Sequence, residues 1–551
     1  MPNVSSHVAH TIAAHIDHVF GLMGNGNALF LDAMAREPNV RFTAVRHEAG
    51  GVVAADAHFR SSGRLAAATA TYGAGFTNTI TALAEAVQAE VPLLLVVGDQ
   101  PTAGRRAWDV DQIALASAVG ARTFTVGRTD AAATVVLAIE HAIARRTAAV
   151  IAIPYDVAGA EAGPLVEAPG LVLPPPLAPV GAFATGVLDQ IAAALAAAER
   201  PLLLAGRGAW LAGAGPALGE LADATEALTA STALGRGVFP NAAHDLGVVG
   251  GFGAEHAMAL VRDADVVVVF GASLNQFTMR FGELFSAGTR VFQVDVAPAP
   301  THANVSGYLR ADAAIAARTI VSELAARGAE PSGWRGRVDV AAALHRPVGD
   351  AIAADGRLDP RSVAVRLAEL LPEDRVVVSD GGHFIGWANM YWPITSPERM
   401  VMVGTAFQSI GLGFPSVVGA AAARPESTIV LTTGDGGGLM ALADIESAVR
   451  AAAGRGVAVV WNDAAYGAEV NLYGLQGLDQ APMRIPEVDF AAFAEAVGGE
   501  GVVVRHLDDL DRLRAWSAQP ASERKFLLLD CRISPDVIAP YQLEIIAVNR
   551  R

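Results

Sequence analysis

One cysteine, Cys531, and one lysine, Lys525, are all that this 551-residue chain has of those residues. A lone cysteine excludes an internal disulfide, points to a reducing compartment, and leaves too few thiolates for a zinc cluster. With one lysine, nearly all positive charge is arginine, and the formal net charge is −16. That balance disfavours a nucleic-acid partner, because phosphate binding needs clustered basic residues. Long hydrophobic runs are also missing. The longest, such as "ADVVVVFGA", fall far below membrane-spanning length, so no membrane partner is expected. The first residues, "MPNVSSHVAHTIAAHIDHVFG", lack a basic segment followed by an apolar core, and a cytoplasmic protein is the expectation. What the chain has is 52% hydrophobic residues and 56 glycines, with only 17% charged. This composition fits a large globular protein with well-covered sheets, and the length suggests three or four domains.

Short apolar runs alternate with Ala-rich helical segments. "HVFGLMG", "LAAATATYG", "VPLLLVVGD" and "TAAVIAIPYD" read as buried parallel strands and make residues 1–165 one βαβ domain. The prolines of "EAPGLVLPPPLAPVG" then mark a linker. A second α/β unit, 183–330, includes "RPLLLAGRGAWLAG", "DADVVVVFGASLN" and "TRVFQVDVAP". A third, 355–551, carries "DRVVVSDGG", "STIVLTTGDGGG", "GVAVVWND" and "KFLLLDCRI". The fold class expected is α/β, with three doubly wound parallel-sheet domains in series.

"TGDGGGLMAL", Thr433 to Leu442, is a glycine-rich turn after a strand. As a dinucleotide loop it fits poorly, since G-x-G-x-x-G wants a final glycine that is absent; "GLMGNGNALF" and "AGRGAWLAGAG" fit no better. A second strand, "VAVVW", ends in Asn462 and Asp463. Two strand ends thus present Asp435 and Asn462/Asp463 on the same carboxyl edge of a parallel sheet, where ligands bind. A carboxylate, a second oxygen ligand and a backbone carbonyl form a hard-oxygen set suited to Mg²⁺ beside a diphosphate. The glycines, Gly434, Gly436 and Gly437 among them, let backbone N–H groups approach phosphate oxygens.

"GDG" followed by "ND" resembles the cofactor motif of thiamine-diphosphate enzymes, in the superfamily of acetolactate synthase, benzoylformate decarboxylase and pyruvate decarboxylase. "VRHEAGG" through "VPLLLVVGD" resembles its N-terminal pyrimidine-binding domain. "VFPNAAHDLGVVGGFG" with "DADVVVVFGASLN" resembles its central domain. "SDGGHFIGWA" and "TAFQSIGLGFP" resemble the cofactor surround of its diphosphate-binding domain. The resemblance covers almost the whole chain.

Carried over residue by residue, the resemblance implies that Glu48 hydrogen-bonds N1′ of the aminopyrimidine. A carboxylate there favours the imino tautomer, whose 4′-nitrogen takes the proton from C2 and leaves a carbon nucleophile. It implies Asp435, Asp463 and the carbonyl of Ala465 as metal ligands, with Asn462 beside them or, on a one-residue slip, in the place of Asp463. Gly381, Gly382 and His383 match the loop that meets the diphosphate. Ile410 matches the bulky residue that bends the cofactor, and Gln408 stands where relatives have a glycine whose carbonyl accepts from the 4′-amino group. Tyr72 and Asn78 in "TYGAGFTN", and Tyr466 and Gly467 in "DAAYGAE", are implied as cofactor neighbours. Asn25 and Glu469 are implied as catalytic groups on the substrate side. Trp108 replaces a glutamine common in carboligating relatives, and "GASLNQF" lacks an arginine that helps flavin-binding relatives hold FAD, so FAD is not expected.

The implied reaction is addition to the carbonyl of a 2-oxo acid, loss of CO₂ to an enamine, and then protonation or attack on an acceptor aldehyde or ketone. A homodimer or homotetramer is implied, with Glu48 and the diphosphate site on different subunits. A C–C lyase or flavin-containing oxidase on the same fold, and a cofactor-binding scaffold subunit, are the alternatives.

Overall fold

A computed structural model describes residues 1–549 as three six-stranded sheets flanked by helices. The first sheet holds β1 (His18–Gly21), β2 (Arg41–Ala44), β3 (Ala67–Ala70), β4 (Leu93–Asp99), β5 (Arg122–Thr125) and β6 (Ala148–Pro154). All pairings are parallel, in the order β2-β1-β3-β4-β6-β5. The four strands expected from apolar runs are β1, β3, β4 and β6, every residue of which is buried. The two edge strands, β2 ("RFTA") and β5 ("RTFT"), are polar and partly exposed. Only one face and one neighbour cover such strands, so they need no apolar run, and none revealed them in the sequence.

The second sheet holds β7 (Pro201–Ala205), β8 (Leu228–Ser231), β9 (Asp245–Val248), β10 (Val266–Phe270), β11 (Arg290–Asp295) and β12 (Val305–Arg310), in the order β12-β11-β10-β7-β8-β9. Counted within the domain this is 3-2-1-4-5-6, the doubly wound dinucleotide-binding order. The third sheet holds β13 (Arg375–Ser379), β14 (Met400–Met402), β15 (Thr428–Gly434), β16 (Gly456–Asn462), β17 (Glu500–Val504) and β18 (Leu527–Arg532), in the order β14-β13-β15-β16-β18-β17. Its order, 2-1-3-4-6-5, repeats that of the first sheet. Residues 162–181, between the first and second units, carry no helix or strand. No described helix is long and apolar enough to cross a membrane.

The first and third domains share one continuous core. It forms where the helix Glu48–Ser62 packs along the helix Gly413–Ala423, both buried over most of their length. Their small residues allow this close approach; a Cβ on Gly419 would collide with the backbone of Ala54. The first helix starts at Glu48 because His47 caps it, its Nδ1 accepting from Ala49 N at 3.2 Å. It stops at Gly63, whose φ of +70° places it in the left-handed region that glycine tolerates.

Candidate active site

In doubly wound sheets the crevice for ligands opens where the strand order reverses. In the third sheet that point lies between β13 and β15. Asp380, just past β13, is wholly buried. It accepts from Gly381 N (2.8 Å), Gly411 N (3.0 Å), Leu412 N (3.2 Å) and Thr433 Oγ1 (3.1 Å). It therefore ties the Gly381–His383 turn, the end of β15 and the loop bearing Ile410 into one unit. Sequence reading missed this role, although Asp380 stands in "SDGGHF" at a strand end. Gly437 faces it, and a Cβ there would lie 2.7 Å from Asp380 Oδ2.

Beyond β15 and β16 two carboxylates meet. Asp435 Oδ1 accepts from Gly436 N at 2.9 Å and Oδ2 from Ala465 N at 3.2 Å. Asp463 Oδ2 pairs with His383 Nε2 at 2.9 Å. Its other oxygen, Oδ1, is buried with no partner. Burial, then repulsion from Asp463, pushes the Asp435 carboxyl up to about 7. Burial opposes charge on His383, but Asp463, with Asp435 and Glu469 behind it, outweighs that and raises its imidazole above the ordinary value. Glu469 sits in the first turn of the short helix Gly467–Leu472 and reaches His383 only by charge.

Asn462, like its neighbour, leaves a buried side-chain oxygen, Oδ1, without a partner among the described residues. Its Nδ2 donates to Asp530 Oδ1 at 2.9 Å and to Val488 O at 3.3 Å, so its amide is held toward β18. Successive strand residues face opposite ways, and Asp463 is the one that joins Asp435 and His383. Gly436 and Gly467 leave no room for side chains. A Cβ on Gly436 would lie 2.6 Å from Tyr466 Cε1, and one on Gly467 2.7 Å from Asp463 Oδ2.

Two non-glycine residues near this edge, Gln408 and Ala464, have φ of +58°. Such left-handed backbone costs ~1–2 kcal/mol per residue and persists only when its surroundings impose it. For Gln408 the N-terminal domain supplies part of that restraint. Glu85, fully buried, accepts from Phe407 N at 2.7 Å and Ala406 N at 3.4 Å, and from Arg60 Nη2 at 3.1 Å. Arg60 also pairs with buried Asp56. The Gln408 side chain is exposed and Ile410 is half-buried.

The first sheet reverses between β1 and β3, and there Asn25 Nδ2 donates to Tyr72 Oη at 2.8 Å. Nearby, Glu48 Oε2 accepts from Asn78 Nδ2 at 3.0 Å. Trp108 is exposed. The Arg106 guanidinium lies 4.1 Å from the Tyr72 ring centre, 4.7 Å from that of Tyr155 and 5.7 Å from that of Trp108. A buried glutamine does serve this edge: Gln112 Oε1 accepts from Gly73 N at 2.8 Å and Nε2 donates to Gly98 O at 2.9 Å.

The site residues expected from sequence thus gather in two groups. Asn25, Glu48, Tyr72 and Asn78 lie at the first sheet's edge. The glycine turns, His383, Gln408, Ile410, Asp435, Asp463, Ala465, Tyr466 and Gly467 lie at the third. No hydrogen bond or ion pair among the described residues links the groups directly. In the central sheet the reversal lies between β7 and β10, and backbone closes it. Gly208 N donates to Gly271 O at 2.9 Å, and a Cβ on Gly206 would lie 2.6 Å from the same oxygen. Arg207 turns away to donate to the carbonyls of Ala89 and Glu90.

Three parallel sheets, with candidate polar groups at the reversal points of the outer two, define a three-domain α/β protein of the cofactor-binding kind. The chain belongs to the thiamine pyrophosphate enzymes. It matches their N-terminal TPP-binding domain over residues 2–118, their central domain over 188–320 and their C-terminal TPP-binding domain over 380–531. It is 27% identical to the acetolactate synthase large subunit of Parasynechococcus marenigrum, covering 92% of this chain and 83% of that one. It is 27% identical to the sulfoacetaldehyde acetyltransferase of Rhodobacter capsulatus, over 96% and 93%. Against acetolactate synthase isozyme 3 large subunit of Escherichia coli the identity is 24%, over 94% and 92%.

Proposed function

We propose that this chain is a thiamine-diphosphate- and Mg²⁺-dependent enzyme that decarboxylates a 2-oxo acid and passes the remaining fragment to a proton or to a second carbonyl compound. The observation that carries this reading is the buried meeting of Asp435, Asp463 and His383, with Asp463 Oδ1 left without a partner. Burial first, and the charge of Asp463 second, make an ionised Asp435 unfavourable, as its raised carboxyl reflects, and a bound cation would relieve both. Asp435 and Asp463 offer carboxylate oxygens, the donor type that suits Mg²⁺. Asp435, Asp463 and the Ala465 carbonyl would hold that ion, and the glycine turns at 381–382 and 434–437 would leave room for a diphosphate.

When bound, thiamine diphosphate supplies a carbon nucleophile and an electron sink. Glu48, held by Asn78, would accept a hydrogen bond from the pyrimidine ring and fix its tautomer. Ile410 would press on the cofactor from the loop that Asp380 and Glu85 hold. Asn25, tethered to Tyr72, and Glu469 would present polar groups to the substrate. The absence of any direct link between the two residue groups within one chain supports a site completed by a second copy, in a homodimer or homotetramer.

The match to a sulfoacetaldehyde acetyltransferase over 96% of this chain favours a second reading, acyl transfer. A panel of 2-oxo acids, with and without acceptor aldehydes and ketones, separates the two. CO₂ release that requires both thiamine diphosphate and Mg²⁺ is the expected result. Acyl transfer without CO₂ favours the second reading, and failure of calorimetry to detect either ligand contradicts both.

A further inference from the structure

We propose that Asp17, His18 and His58 form a second metal site, for a divalent ion of the zinc class, at the end of the N-terminal sheet opposite Glu48. Asp17 precedes β1, His18 opens it, and His58 lies in the C-terminal half of the helix that Glu48 begins. One ligand atom from each of the three lies within 4.8 Å of the others. Asp17 Oδ1 and His18 Nδ1 stand 2.9 Å apart. Two ligands at the zinc–nitrogen distance of ~2.0–2.1 Å on one tetrahedral ion stand about 3.3 Å apart, so this pair already has the spacing of neighbouring ligands. The imidazole rings of His18 and His58 are 4.9 Å apart and tilted by 37°, not laid flat on each other.

His58 supplies the independent observation. Its ring is wholly buried. Its Nδ1 faces the carbonyl of Arg64 at 3.3 Å and the Ser62 hydroxyl at 3.5 Å; a carbonyl can only accept, and Ser62 gives its proton to His58 O at 2.7 Å, so Nδ1 carries the proton and Nε2 the lone pair. Nε2 is buried and has no partner. An unmet buried acceptor is unfavourable, and a bound metal ion removes that penalty. A backbone carbonyl that fixes the tautomer of a ligating imidazole is the usual outer partner at metal sites.

The donor set selects the ion. Two imidazoles and one carboxylate suit zinc and its first-row neighbours, whereas Mg²⁺ prefers oxygen throughout. Arg64 pairs with the other Asp17 oxygen and keeps the carboxylate in place. His18 also lines a surface cleft of ≈ 470 Å³, which gives an ion a way in. Arg41, Arg450 and Arg455 line the same cleft, so affinity must come from direct ligand bonds rather than long-range attraction. An ion here would brace the helix whose first residue is Glu48.

The test uses full-length protein stripped with a chelator, reloaded with thiamine diphosphate and excess Mg²⁺, and titrated with Co²⁺ as a coloured zinc surrogate. The excess Mg²⁺ keeps cobalt from Asp435 and Asp463. We expect one Co²⁺ per chain beyond the Mg²⁺ site, with visible absorption of low-symmetry cobalt that Zn²⁺ abolishes. His58→Asn should lose the signal. Asp17→Asn, at a part-exposed position that does not threaten folding, should weaken Co²⁺ binding by more than ~10-fold. No saturable cobalt in the wild type, or uptake unchanged in both variants, overturns the proposal.

Discussion

At the reversal point of the N-terminal sheet an amide and a phenol, Asn25 and Tyr72, face each other, and the one carboxylate, Glu48, meets a neutral donor. At the matching point of the C-terminal sheet, which has the same strand order, two buried carboxylates and an imidazole converge. Topology sets where each crevice opens, while burial and charge set what each can hold. On the proposed reading, the first edge would offer hydrogen bonds to a neutral ring and the second would hold a cation. The central sheet, with a different order, brings the backbone of two turns together at its reversal point, Gly208 N on Gly271 O.

The sharpest way to break the contrast is Asp435→Asn. Removing a ligand should lower Mg²⁺ affinity beyond the ~10–100-fold typical of losing an outer partner, with turnover lost at ordinary Mg²⁺. Calorimetry checks this, and unchanged Mg²⁺ binding would remove the metal from this edge.

Glu48→Gln should cut turnover by ~10²–10⁴-fold, the range of proton-transfer catalysis, while cofactor affinity falls much less. Steady-state kinetics beside a cofactor titration separates the two, and equal activity would end the role given to Glu48.

The pH response should differ between the edges as well. The Asp435 carboxyl titrates near 7 against an ordinary 3.8. Between those values the folded metal-free chain holds a proton that the unfolded chain has lost. Its stabilising share is thus full below pH ~4 and lost as pH rises through ~7. Mg²⁺ needs the carboxylate, so its affinity should climb over the same window, with proton release that calorimetry in two buffers detects. Affinity flat from pH 5.5 to 8 would contradict this.

A smaller effect belongs to Glu85→Gln, which sits outside both edges yet holds the Gln408 loop. Losing a charge-assisted bond to Phe407 N should cost ~1.5–3 kcal/mol, seen as a lower unfolding midpoint and weaker cofactor binding together. Stability loss without a change in cofactor affinity would make Glu85 purely structural. Asn25→Ala should have the least effect, about fivefold in kcat, the worth of ~1 kcal/mol for one neutral hydrogen bond.

How much of this was legible in the sequence depends on how local each feature is. Asp435 and Asp463 could be placed on one sheet edge because each follows an apolar run, and parallel strands bring their ends together. His383 was reachable in the same way through "SDGGHF". Sequence left Asn462 as the alternative to Asp463, and the bond from the Asn462 amide to Asp530 in β18, which favours Asp463, could not be read from it. Asp380 looked like another strand-end residue because its four donors come from three separate places in the chain. Glu85 was invisible for a stronger reason, since the loop it holds, at Ala406 and Phe407, lies more than 300 positions away in another domain. The edge strands β2 and β5 escaped because a partly exposed strand needs no apolar run.

The central claim is that Glu48 of one copy and Asp435 of another serve the same site. The most direct measurement is subunit complementation. Glu48→Gln and Asp435→Asn chains, each inactive alone, are co-expressed and the mixed assembly purified through different tags. Each mixed dimer should regain one intact site, about half the activity of a wild-type dimer by two-fold symmetry. Activity that stays at the level of the single variants, in a mixed assembly shown to be folded, would contradict the account.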